Sequence, residues 1–119
     1  MSDVLDMTVV EELLSLSDDG DPELLLDLIK LFLDDGPNKV RTIRDGLAAR
    51  DFDAMERAAH SLKGSSGNLG ARQLQDTCEQ MQLATRRHDL DTTARLVPQL
   101  ANQYDAVQCA LLALRDQYA

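Results

Sequence analysis

His60-Ser61-Leu62-Lys63-Gly64-Ser65-Ser66-Gly67-Asn68-Leu69-Gly70 lies inside a segment whose apolar residues otherwise repeat with a helical period. At about 100° per residue, Phe52, Met55, Ala59, Leu62, Ser66 and Leu69 fall on one stripe, the pattern of a core-facing helix. His60 sits roughly 120° from the centre of that stripe. Asp53, Glu56, Gly64 and Gly67 share its sector, and Arg57 borders it. The imidazole is therefore expected to project from the side of the helix, at least partly in water. Lys63 follows one turn later, between His60 and the edge of the stripe. A glycine in a helix interior costs about 1 kcal/mol relative to alanine. Two of them beside a polar histidine ask for a reason, and close approach of another molecule supplies one.

Working outward, helical periods account for the rest of the chain, and no stretch alternates as a strand. A short first helix is predicted over 7–16, ended by the polar run Ser17-Asp18-Asp19-Gly20. Asp21-Pro22-Glu23 is a helix start: a capping Asp, Pro in the first turn, and an acid near the positive end of the dipole. The second helix carries Leu24, Leu25, Leu28, Ile29, Phe32 and Leu33. Asp35-Gly36-Pro37 then reads as a break or a kink, because Pro37 cannot donate a backbone hydrogen bond. Apolar spacing resumes at Val40, Ile43 and Leu47, which favours one long kinked helix to about Ala49. Arg50-Asp51 turns the chain into the third helix, which starts within 51–53. That helix leaves at Asn68-Leu69-Gly70, where Gly70 suits a left-handed cap.

A fourth helix is predicted over 72–87, with Leu74, Cys78, Met81 and Leu83 as its apolar positions. Arg86, Arg87 and His88 stand at its negative end, and His88 reads as a helix-end cation. After a turn and cap at Asp89-Leu90-Asp91, the last helix runs over 92–118 with a kink at Pro98. The expected fold is all-α: a single domain over 1–119, an up-and-down four-helix bundle with an additional short N-terminal helix.

Composition agrees. The 119 residues are 44% apolar but only 3% aromatic, with no Trp, so Leu and Ala must make a helix-on-helix core. A net charge of −9 excludes nucleic acid and anionic membrane surfaces as natural partners. The start has no basic n-region, and the richest apolar run, 24–33, is broken by Asp27 and Lys30 and is too short to span a bilayer. A cytoplasmic location is expected, and the Met1 start and compact length suggest a stand-alone protein. Cys78 and Cys109 form no CxxC and read as small buried hydrophobes. The glycine-rich stretch follows a helix and lacks a GK[ST] ending, so it is no phosphate loop. The acidic runs lack the spacing of a calcium loop. No metal or cofactor site is expected.

Two readings of His60 stand on spacing alone. In one it is an exposed helix histidine, and the glycines mark a fraying end. In the other it is a nucleophile, since a neutral imidazole nitrogen attacks electrophiles near pH 7. Lys63 favours the second. A cation at i+3 disfavours a protonated ring, so it suits an anion carried by the imidazole.

Ala59 to Ala71 closely resembles the motif of the histidine-containing phosphotransfer (HPt) domain of multistep two-component signalling. The stretch from Asp21 to Asp35 resembles that family's acidic-capped, Leu-rich helix, and Leu74 to Met81 resembles the helix after the motif. The resemblance implies the bundle described above. It implies His60 as phosphoacceptor, Lys63 steadying the phosphoryl group, and Gly64 leaving room for the partner's active site. Gln82 falls where some members hydrogen-bond the active imidazole and many carry an acid; a solvated helix position is its other reading.

The implied partners are response-regulator receiver domains, those of hybrid sensor histidine kinases included. They would dock around Arg57, Ser61, Gly64 and Gly67, with an apolar patch from Val9 and Leu13 of the first helix. The chain would act as a monomer with no ATP-dependent kinase activity of its own, and the receiver would bring Mg²⁺. It would take a phosphoryl group from one receiver aspartate and pass it to another. Two alternatives remain at this point: a module that docks on receivers without transfer, and a chemotaxis-kinase-type domain phosphorylated directly by an ATP-binding domain.

Overall fold

The computed structural model describes residues 4–17 and 19–119. They form five helices: α1 (Met7–Ser15), α2 (Glu23–Ala49), α3 (Phe52–Asn68), α4 (Arg72–Arg86) and α5 (Leu90–Tyr118). No strand occurs among the described residues. Helices α2 to α5 run up and down and close a ring, with α2 against α3 and α5, and α4 against α3 and α5; α1 lies against α2. Asp6, Asp51 and Asp89 each accept a hydrogen bond from a backbone N–H of the first turn they precede, at 3.0 to 3.1 Å. Asp21 does the same for Glu23. Those caps satisfy donors that a helix start leaves unpaired.

The core is aliphatic, as the composition demands. Leu25, Ile29, Ile43, Met55, Leu62, Leu74, Met81, Leu100 and Leu111 are fully buried in its centre. α2 runs through Pro37 without a break. Gly36 has a packing role: a Cβ there would collide with the ring of Tyr104, which also stacks on Phe32 at 5.3 Å between centroids. The missing side chain lets α5 approach α2 closely. Burial pushes the Tyr104 phenol up to about 12.

Gly70 ends α3 at φ +76°, and a Cβ there would come within 2.8 Å of the Asp6 carbonyl oxygen. Glycine is needed here for both reasons. The Gly70 carbonyl accepts the Asp6 N–H at 2.8 Å, and the Ala71 N–H donates to the Ser66 carbonyl at 2.9 Å. α1 is thus tied to the end of α3, and α3 turns tightly into α4.

Three expectations are corrected. Leu83 is 41% exposed, because α4 presents Leu74, Cys78 and Met81 to the core and turns Leu83 outward. Cys109 is exposed, whereas Cys78 is buried and its thiol is pushed up to about 12 by desolvation. Phe52 is only half-buried, and its ring stacks on His88 at 4.7 Å. His88 stands at the C-terminal end of α4 as expected, in the left-handed region at φ 54°, with its ring on the Phe52 face.

Candidate functional site

The three-residue turn at 69–71 sets α3 and α4 antiparallel, and this fixes which side chains face each other. His60 on α3 meets Gln82 on α4, with His60 Nδ1 and Gln82 Nε2 at 3.1 Å. His60 is exposed while Gln82 is only 3% exposed. One end of the imidazole is therefore held against the bundle, and Nε2 is left as its free nitrogen.

As placed, the amide donates to Nδ1, which puts the ring proton on Nε2. Rotated by half a turn, its oxygen accepts from Nδ1–H and leaves a lone pair on Nε2. Gln82 Oε1 is buried without a hydrogen-bond partner, so no other contact ties the amide to one orientation. Gln82 can serve either tautomer.

Two ion pairs flank this contact, one turn away on each side. Toward the start of α3, the Arg86 guanidinium bonds the Glu56 carboxylate. Toward its end, Lys63 Nζ donates to Glu79 Oε1 at 2.8 Å. The result is a ladder of three rungs between α3 and α4: Glu56–Arg86, His60–Gln82 and Lys63–Glu79. Its outer rungs have opposite polarity, and each places one cation beside the histidine. The hydrogen bond and positive charge of Lys63 hold the Glu79 carboxyl below the usual carboxylate range. Both pairs are solvent-exposed and weak, so they can exchange partners.

Around the ladder the surface is uneven. A Cβ at Gly64 would meet nothing within 4 Å, and Arg57, Ser61 and Gly64 are all exposed. Gly67 differs from what the sequence suggests. A Cβ there would lie 2.6 Å from Gln75 Nε2, so that space belongs to α4. Ser66 is on the core stripe and fully buried, its hydroxyl donating to the Leu62 carbonyl at 2.6 Å.

Val9 packs at Gly70, ten residues and about 15 Å of helix beyond His60. Leu13 is half-buried against the core. An apolar groove lies between α2 and α3, lined by Leu28, Leu31, Phe32, Leu62 and Ser65; Leu31 is 65% exposed.

Sequence reading missed Arg86, Glu56 and Glu79 as members of the site and read Arg86 only as a helix-end charge. The available signal was spacing: Glu79 and Arg86 lie three residues before and four after Gln82, on one face of α4. Glu56, Arg57, His60, Gln82 and Arg86 line one recess. An exposed, oriented imidazole with a cation on each side and free space next to it can carry an anionic group.

The Hpt domain family matches residues 27–110. The chain is 34% identical over 70 residues to histidine-containing phosphotransfer protein 5 of Arabidopsis thaliana, covering 56% of this chain and 45% of that protein. It is 28% identical over 104 residues to histidine-containing phosphotransfer protein 2 of the same plant, covering 84% and 66%. The chain thus spans between about half and two thirds of the length of these relatives. The crystal structure of histidine-containing phosphotransfer protein B from Pseudomonas aeruginosa matches with a TM-score of 0.88 and 28% identity, over 100% of both chains. The matched region contains α3, α4 and every rung of the ladder. With its histidine motif on a bundle of this shape, the chain belongs to the Hpt domain family.

Proposed function

We propose that this chain is a phosphorelay intermediate with His60 as its phosphoacceptor. The observation that carries the reading is an exposed imidazole, oriented at Nδ1 by Gln82, beside the open surface at Gly64. The Nε2 lone pair attacks the phosphorus of an aspartyl phosphate on a receiver domain. A P–N bond forms as the acyl P–O bond breaks, and the aspartate carboxylate leaves with the electron pair. The proton on Nδ1 stays in its hydrogen bond with Gln82 Oε1. A second receiver aspartate reverses the step. Charge in the loose transition state lies on the equatorial oxygens, so catalysis is mostly positioning and charge stabilisation. The receiver brings Mg²⁺; this chain brings the nucleophile, with Lys63 and Arg86 within the adjoining rungs. Receivers of hybrid sensor histidine kinases are among the partners proposed, and the chain works as a monomer in the cytoplasm. No helix among the described residues is long and apolar enough to cross a membrane.

The test is transfer from a receiver domain carrying radiolabelled aspartyl phosphate. The expected product is an acid-labile, base-stable phosphoprotein, and His60→Gln abolishes the label. Label that persists in His60→Gln would overturn the assignment. Binding without label would identify a docking module. Labelling by ATP and an ATP-binding kinase domain, with no receiver present, would identify a chemotaxis-kinase-type acceptor.

A further inference from the structure

We propose that Glu56 and Glu79 set the equilibrium occupancy of His60 by competing with its phosphoryl group for Arg86 and Lys63. The inference rests on the reading of His60 given above. Two cations beside the histidine are already engaged by a carboxylate from the opposite helix: Lys63 of α3 by Glu79 of α4, and Arg86 of α4 by Glu56 of α3, while Arg57 of the same recess makes no ion pair among the described residues. The unphosphorylated ladder is thereby electrically balanced. A phosphoryl group on Nε2 brings close to two negative charges between the rungs.

Two consequences follow from charge alone. The carboxylates repel the incoming anion, and they withhold the cations that would balance it. The exchange is feasible because both pairs reach water: the side chains of Lys63 and Glu79 are 30% and 53% exposed, those of Arg86 and Glu56 57% and 27%. Exposed pairs of flexible side chains exchange partners at little cost.

The arrangement keeps the phosphorylated form from becoming a trap. A group held by two unopposed cations would resist leaving for a second receiver. Two resident carboxylates restore competition at every stage, and an intermediate that must both accept and release needs that balance. The hydrogen bond and charge of Lys63 favour the ionised form of Glu79.

The experiment measures the ratio of label on His60 to label on a donor receiver at equilibrium, with the full chain. Glu79→Gln and Glu56→Gln each raise that ratio by about two- to fivefold, the range expected of one exposed pair. The double variant raises it further. The rise from Glu79→Gln shrinks when Lys63→Met is combined with it, and that from Glu56→Gln shrinks with Arg86→Met, leaving only the part due to repulsion. A residue with only a structural role would not show this background dependence. Unchanged or lowered ratios in folded single variants overturn the proposal. So does a rise of undiminished size after removal of the cation, since repulsion alone then explains it. If the wild-type chain takes no label on His60, the parent reading fails first; normal wild-type labelling with unresponsive variants sinks this inference alone.

Discussion

Gly64 and Gly67 lie one turn apart on the same helix, and their surroundings are opposite. Beside Gly64 there is open space, whereas Gln75 of α4 fills the space beside Gly67. One glycine keeps a surface free for another molecule; the other admits a neighbour from the same chain. The lesson is that a small residue in a helix records close approach without saying from which side. Only the partner helix decides that, and here α4 covers one turn of α3 and leaves the next exposed.

Substitutions can break this contrast. The largest effect is expected from Gly64→Leu. It should slow transfer from a phosphorylated receiver about tenfold or more, because a misplaced partner loses its alignment. Its melting temperature should not fall. Wild-type transfer by a folded Gly64→Leu protein would remove the first half of the comparison. Gly67→Leu should do the reverse: a loss of about 1–3 kcal/mol from overpacking under Gln75, read by denaturant unfolding, with transfer near wild type. The smallest effect sharpens the pair. Gly64→Ala should stabilise by about 0.5–1 kcal/mol through helix propensity. Gly67→Ala should gain less, since Gln75 must first move aside.

Much of the fold was legible because each helix carries its own record. The stripe through Met55, Ala59, Leu62, Ser66 and Leu69 is buried as its spacing predicts. Gly70 caps α3 in the left-handed region. The outward aim of His60 followed from the same geometry. Contacts between helices were not legible, because a period gives the faces of one helix and not the register against the next. Gln75 over Gly67, Tyr104 against Gly36 and both outer rungs of the ladder depend on that register. Leu83 shows the limit from another side: an apolar residue at a permissible spacing still faces water when α4 has enough buried surface without it. Gln82 was the intermediate case. The family resemblance suggested a partner for the imidazole, but only the antiparallel setting of α3 and α4 brings the two within hydrogen-bond distance.

The three rungs join residues no more than 30 apart in sequence, Glu56 and Arg86 being the widest pair, across one tight reversal of the chain. Contacts so local close with little entropic penalty and favour rapid formation. The chemistry-bearing hairpin is therefore nearly autonomous in topology, while α1, α2 and α5 act as a clamp that keeps it in register. Lengthening the α4–α5 connection, or trimming the first helix, would alter how firmly that clamp holds without touching any residue of the three rungs.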